Sequence, residues 1–263
     1  MVLIHPAIDP VIISFGILQI RWYGLAYVLG FIIGIYLIKK INISSINKIS
    51  NTKIDKFFIW SVLGVIIGGR VGYVIFYQTE TIFSNFLSIF YIWQGGMSFH
   101  GGLLGIIISI FLFARKNQID FLHLSDFVSL VAPIGIFFGR IANFINVELY
   151  GRVTEFPLAI IYPTIDNSPR HPSQLYEAFF EGIILFFILF YFRNKISITK
   201  QYGLITSLFL FYYGIFRFII EFLREPDNHL GFFFNFLTMG QLLSVPLIII
   251  GIFIYFNLKK IND

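Results

Sequence analysis

Seven apolar runs, each about as long as a bilayer is thick, limit what this 263-residue chain can fold into. They lie at roughly 18–38, 57–78, 97–114, 124–145, 173–192, 203–223 and 239–258. About 20 consecutive apolar residues cross the hydrocarbon core as a helix. The chain is 57% hydrophobic and 13% charged, with a mean hydropathy of +0.81. An ordinary soluble domain carries about 25% charged residues. The sequence therefore predicts an all-α integral membrane protein, a single polytopic domain over 1–263 with about seven transmembrane helices.

Charge placement predicts the orientation. The breaks at 39–56, 115–123, 193–202 and 259–263 hold Lys39, Lys40, Lys48, Lys53, Lys56, Arg115, Lys116, Arg193, Lys195, Lys200, Lys259 and Lys260. The alternate breaks, at 79–96, 146–172 and 224–238, hold only Arg152, Arg170 and Arg224. Twelve against three is the positive-inside pattern, so the carboxy terminus is predicted to be cytoplasmic. An odd number of spans then puts the amino terminus outside. Residues 1–17 carry no Lys or Arg, which agrees and argues against a signal peptide. The same placement accounts for the net charge of +5 without nucleic acid. Segment 146–172, rich in turn residues such as Gly151, Pro157, Pro163 and Pro169, is expected to form a small external cap between spans four and five.

There is no cysteine, hence no disulfide, thiolate ligand or cysteine nucleophile. Five scattered histidines show no HExxH-type pairing, so neither a metal site nor a cofactor is expected. Gly30-xxx-Gly34 and Gly101-xxx-Gly105 are read as helix-packing devices.

Function is sought in ionisable residues within apolar sequence, because each costs several kcal/mol in hydrocarbon unless paired or hydrated. Arg140, Asn143 and Asn146 recur at i, i+3 on one helical face, with Glu148 just beyond and Gly151 allowing a turn. A planar guanidinium beside amides suits a phosphate or carboxylate. The competing reading is a polar knot in which Glu148 neutralises Arg140. Tyr213, Arg217, Glu221 and Arg224 form a second such stripe; an intrahelical Arg–Glu pair that only stabilises the span would also explain it. Arg70 lies mid-span among glycines, and Arg21 can snorkel from a helix end. His100, flanked by Gly95-Gly96 and Gly101-Gly102, is a candidate proton carrier, although a lone histidine is more often structural. His171-Pro172-Ser173 reads as a helix start with Ser173 or its predecessors as the cap. Glu177 and Glu181 then enter the membrane to pair with a buried arginine.

The run Gly139-Arg140-x-Ala142-Asn143-Phe144-Ile145-Asn146-x-Glu148-x-x-Gly151 resembles the signature of the bacterial prolipoprotein diacylglyceryl transferases. So do His5-Pro6, Ile20-Arg21-Trp22-Tyr23-Gly24-Leu25, Gly69-Arg70-x-Gly72-Tyr73, Gly95–Gly102, His171–Glu177 and Arg217-x-x-x-Glu221-x-x-Arg224-Glu225-Pro226-Asp227, in the family's order. Val147 is a departure, standing where many members have glycine.

The resemblance implies a multi-pass enzyme of the bacterial cytoplasmic (inner) membrane. It would move the sn-1,2-diacylglyceryl group of phosphatidylglycerol onto the lipobox cysteine of a prolipoprotein signal peptide, leaving a thioether and glycerol-1-phosphate. Arg140 and Arg217 would hold the phosphate, each preorganised donor being worth roughly 3–4 kcal/mol by the oxyanion-hole precedent. His100 would be the base for the thiol; alternatively the arginine pair would lower the thiol pKa electrostatically with no dedicated base. Tyr23, Asn143, Glu148, Gly151, Tyr213 and Glu221 would bind or position substrate. The nucleophile belongs to the substrate, which is compatible with a chain lacking cysteine. The alternative is a lipid or small-anion transporter using the same arginines, although no internal repeat supports one.

Overall fold

A computed structural model of the chain describes residues 3–16, 18–43, 48–77, 91, 96–199, 202–226, 233 and 236–260. Most of the 79–96 loop, including Trp93-Gln94-Gly95, lies outside the described residues, as do Lys200 and Asp227. The chain is mostly helical: α1 Trp22–Ile43, α2 Asn51–Tyr77, α3 Phe99–Asn117, α4 Phe121–Ile145, α5 Ser173–Glu177, a π-helical segment Ala178–Ile184, α6 Leu185–Thr199, α7 Leu204–Ile220 and α8 Met239–Lys260. Among the described residues, five short strands accompany them: β1 Leu3–Ile4, β2 Val11–Phe15, β3 Leu18–Arg21, β4 Ile160–Ile161 and β5 Pro169–Arg170.

Among the described residues, six helical stretches have the length and apolarity of a membrane span: Trp22–Asn42, Asn51–Ile75, Phe99–Asn117, Phe121–Ile145, Ser173–Arg193 and Met239–Leu258. The sixth apolar run, 203–223, forms the shorter helix α7, 17 residues. Several expected boundaries are corrected. Residues 18–21 are strand rather than helix, because Leu18, Gln19, Ile20 and Arg21 alternate apolar and polar with the two-residue period of a strand. They pair with β2 as Phe15↔Leu18, Ser14↔Gln19 and Val11↔Arg21. Of the basic residues expected in breaks, Lys39 and Lys40 lie in α1, Lys53 and Lys56 in α2, Arg115 and Lys116 in α3, Arg193 and Lys195 in α6, and Lys259 and Lys260 in α8, so the helices extend past the apolar runs.

The chain divides into two compact units, 1–38 with 126–263, and 39–125. In the second unit, α2 and α3 run antiparallel with their backbones almost touching. A Cβ on Gly68 would meet Gly105 Cα at 2.8 Å, and one on Gly72 would meet Gly101 Cα at 2.7 Å. Only glycine permits that approach, and such close packing replaces the hydrophobic drive that lipid does not supply. In the first unit, α1 lies antiparallel on α4, with Gly30 against Gly135 and Gly34 against Val131. There α7 also lies antiparallel on α8, with Gly214 against Ser244 and Ile248. The first unit also holds both sheets, the β2–β3 hairpin and the order β1-β4-β5 in which β1 and β4 are parallel.

Polarity is inverted relative to a soluble protein. Ile59, Leu63 and Ile67 along α2, and Phe253 and Phe256 on α8, point outward, while Arg70, Asp126, Glu177, Glu181 and Arg217 are buried. Asp126 accepts from Gly203 N (2.7 Å), Thr206 N (2.8 Å) and Thr206 Oγ1 (2.8 Å). It thereby satisfies first-turn donors of α7 that hydrocarbon would leave unpaired.

Candidate active site

The site is assembled from the end of α4. Helix α4 stops in a turn whose bonds are Val147 N→Phe144 O (3.1 Å) and Glu148 N→Asn143 O (2.9 Å). Val147 sits at φ 58°. This is the Schellman arrangement, which requires a left-handed residue just past the helix and favours glycine there. The departure noted at Val147 thus falls on a position whose backbone prefers glycine. Leu149, at φ 56°, is also left-handed. The strained 147–149 stretch is strapped down by Ser173 Oγ→Leu149 O (2.7 Å) and Gln174 Nε2→Glu148 O (2.6 Å). Tyr162 OH in turn donates to Gln174 Oε1 at 3.2 Å. Of the two expected cap positions, Ser173 or a residue before it, the structure takes the latter. Pro172 occupies the cap position, and no side chain caps α5.

The turn folds Glu148 back onto Asn143. Asn143 Nδ2 donates to Glu148 Oε2 at 3.3 Å, Asn146 Nδ2 to Glu148 Oε1 at 3.4 Å, and Tyr23 OH to Glu148 Oε2 at 2.7 Å. Asn143 Nδ2 also hydrogen-bonds Tyr23 OH. One turn earlier, Arg140 Nη1 reaches Asn143 Oδ1 at 3.5 Å.

Arg140 and Arg217 come from different helices and meet on one carboxylate. Glu177 Oε2 lies 3.0 Å from Arg140 Nε, and Glu177 Oε1 is paired with Arg217 Nη1. Glu181, in the π-helical segment, lies 3.4 Å from Arg140 Nη2 and 3.8 Å from Arg217 Nη1. Glu221 holds Arg217 Nη2 at 2.8 Å and lies 3.6 Å from Arg224 Nη1. Three arginines thus face three glutamates. Glu177 and Glu181 are wholly buried, whereas Arg140 keeps 17% of its side chain exposed. Each Nη of a guanidinium carries two hydrogens, so this pairing leaves both arginines donor capacity for a further anion.

A family model described as prolipoprotein diacylglyceryl transferase matches residues 10–257. The chain belongs to that family. Among relatives named phosphatidylglycerol–prolipoprotein diacylglyceryl transferase, the one from Rickettsia bellii (strain OSU 85-389) is 48% identical over 249 residues, 95% of each chain. Those from Rickettsia felis and Rickettsia rickettsii (strain Sheila Smith) are 49% and 50% identical over 246 residues, 94% of this chain and 95% of theirs.

For this family member, the residues expected from sequence fall into three groups. Tyr23, Arg140, Asn143, Glu148, Arg217 and Glu221 form one continuous hydrogen-bonded and ion-paired network. Tyr213 stands one turn before Arg217, with its ring stacked on Phe209. It feels the charges of Arg140, Glu177, Glu181 and Arg217, and no hydrogen bond joins it to them among the described residues. Gly151 is architectural. Its N–H donates to His171 O at 2.9 Å, it bridges Arg224, and a Cβ would meet Leu223 O at 2.7 Å. His100 is an exposed residue in the first turn of α3, in the second unit, and the network belongs wholly to the first. The straps Ser173, Gln174 and Tyr162 were not legible as site residues. Their roles are set by carbonyls of a distant turn and carry no spacing signal of their own.

His5, of the His5-Pro6 block, is buried, and its Nδ1 accepts from Ala7 N at 3.1 Å. That bond makes Nε2 the protonated nitrogen, which donates to Phe144 O at 3.0 Å inside the turn that closes α4. Burial pulls the His5 pKa below its ordinary value. On the 146–172 segment, Arg170 pairs with Asp166 at 2.6 Å and Glu225 at 3.3 Å. The guanidinium hydrogen bond holds the Asp166 carboxyl below its usual range and lifts Arg170.

Proposed function

We propose that this protein transfers the sn-1,2-diacylglyceryl group of phosphatidylglycerol to the cysteine thiol of a prolipoprotein, the reaction named by its relatives. The sulfur forms a bond to the terminal glyceryl carbon. The carbon–oxygen bond to phosphate breaks, and glycerol-1-phosphate departs with the electron pair. The thiol proton must go to a base.

The observation that carries the site assignment is the shared carboxylate. Glu177 holds the Arg140 and Arg217 guanidiniums side by side from two helices, forming a double fork that a phosphate diester can enter. As the phosphate leaves it gains a full negative charge, and preorganised guanidiniums stabilise that charge without reorganising. The buried glutamates keep both arginines oriented before substrate arrives. Glu148, held by Tyr23, Asn143 and Asn146, lies at the end of the same network.

His100 is assigned the thiol proton on the strength of its motif and exposure. Only the thiolate attacks well, and a free cysteine has a pKa of about 8.5. In the topology we favour, seven spans cross the bacterial inner membrane with the carboxy terminus cytoplasmic. The 146–172 segment then caps the outer face, where a lipobox cysteine emerges.

The deciding test incubates the detergent-solubilised protein with phosphatidylglycerol and a lipobox peptide and reads the peptide mass. A gain of one diacylglyceryl group on cysteine is expected. Arg140→Lys keeps the charge, loses the planar fork and is expected to lower kcat by about a hundredfold or more. Unchanged turnover in that variant removes Arg140 from the chemistry, and unchanged turnover of His100→Gln at neutral pH removes the base.

A further inference from the structure

The ion-pair network ends against a backbone. Glu221, immediately after α7, points its carboxylate at the first turn of α8. A Cβ built on Gly240 would lie 2.5 Å from Glu221 Cδ and 2.6 Å from each carboxylate oxygen. No other residue type leaves room for the carboxylate where it stands. The first turn of α8 is itself fixed. Gln241 N donates to Thr238 Oγ1 at 3.3 Å and Thr238 N to Gln241 Oε1 at 3.0 Å, a reciprocal capping box over Thr238-Met239-Gly240-Gln241. All four residues of that box are half-buried or buried, as is Glu221. A helix's first turn also favours negative charge through its dipole.

We propose that Gly240 is a positioning residue for the transfer reaction. It is a floor, locked by the Thr238–Gln241 box, that sets where the Glu221 carboxylate stops and so where the Arg217 guanidinium points. The chain of contact is short: Gly240 abuts Glu221, Glu221 holds Arg217 Nη2 at 2.8 Å, and Arg217 shares Glu177 with Arg140. The three atoms nearest a methyl at position 240 all belong to the Glu221 carboxylate, not to backbone or a packed ring. The methyl collides with the far end of one side chain, which can swing aside. The substitution therefore leaves the fold standing and moves the arginine.

The proposal rests on the transferase reading, and its test separates the two. Gly240→Ala, Glu221→Asp and the double variant are assayed with phosphatidylglycerol and a lipobox peptide, alongside melting temperature in detergent. Gly240→Ala is expected to lose about tenfold or more in kcat, a fraction of what removing a preorganised donor costs. Its melting temperature is expected not to fall, since alanine is the better helix former. Glu221→Asp shortens the carboxylate by one methylene and makes room for the methyl, at some loss of its own. The double variant is then expected to exceed Gly240→Ala and to match Glu221→Asp. Contacting residues couple in this way and independent ones do not. Wild-type kcat in Gly240→Ala overturns the proposal, and so does a double-variant loss equal to the product of the single losses. A wild-type protein without transferase activity overturns the functional reading instead.

Discussion

Two arginine–carboxylate clusters in one unit of this molecule use the same chemistry in opposite surroundings. Arg170 with Asp166 and Glu225 lies on and beside the 146–172 segment, where the carboxylate side chains are 35% and 40% exposed. Arg140 and Arg217 with Glu177 and Glu181 lie among helices, where the same groups are entirely buried. Water and salt compensate for loss of a partner in the first cluster, and exposed pairs contribute little. In the second, no solvent replaces a lost partner, so the charges must balance among themselves. The buried cluster therefore has to be complete. A complete set of mutually fixed charges is also what a phosphate-leaving reaction requires.

The sharpest way to break this contrast is Glu177→Gln. The change keeps the shape and removes one charge, leaving two guanidiniums facing each other. Removing one partner of a buried pair costs about 3–5 kcal/mol. Thermal unfolding in detergent is expected to show that loss, together with a collapse of transferase turnover. A Glu177→Gln protein that melts like wild type would mean that the buried cluster is as forgiving as the exposed one.

The frame around the buried cluster carries a second test. Val147 holds a left-handed backbone in the turn that brings Glu148 to Asn143, and a β-branched residue there is strained. Val147→Gly is expected to stabilise the protein by about 1 kcal/mol, the strain released being partly offset by the freer unfolded chain. The readout is melting temperature. A lower value would show that the turn derives its stability from the valine side chain and not despite it.

What the sequence revealed, and what it hid, follows the same physics. Arg140, Asn143, Arg217 and Glu221 were legible because a charge or amide inside an apolar run has few reasons to be there. Their spacing on a helix fixes a shared face. Glu177 and Glu181 were legible as arginine partners, but their sharing between two arginines was not, because it depends on how α4, α7 and the π-helical segment pack. Of the seven spans read from length and apolarity, six fall on helices long and apolar enough to cross a membrane among the described residues, whereas strand β3 of the hairpin, residues 18–21, was overrun by an apolar window that ignores alternation. Gly240 gave no sign, since a glycine near a helix start is ordinary until a carboxylate is found against it.

A pH experiment sharpens the comparison further, through His5. Its Nδ1 accepts from Ala7 N, so the folded state wants the imidazole neutral, and burial lowers its pKa. The unfolded chain protonates near the ordinary value of about 6.5. Below that pH the unfolded state takes up a proton that the folded state resists. The contribution of His5 is therefore full above about 6.5 and declines as pH falls. Melting temperature is expected to drop between pH 7.5 and 5.5, and His5→Gln, which can keep both hydrogen bonds, is expected to flatten the slope. His171, also lowered by burial, contributes in the same direction.

The smallest expected effect belongs to the exposed cluster. The Arg170 hydrogen bond holds the Asp166 carboxyl below its usual range. The sign is opposite to that of His5. The stabilisation is present above the unfolded carboxylate value of about 3.9 and is lost only as pH falls through the lower folded value. At neutral pH, Asp166→Asn therefore removes an interaction that is fully formed but bathed in solvent, with Glu225 still beside Arg170. The variant is expected to melt close to wild type, and the residual difference to shrink when salt is raised from about 0.05 M to 1 M. Its turnover is expected to be that of wild type, because Arg140 and Arg217 pair with other carboxylates. A salt-insensitive loss as large as that of Glu177→Gln would mean that exposure does not separate the two clusters. The 146–172 segment would then hold the site as firmly as the helices do.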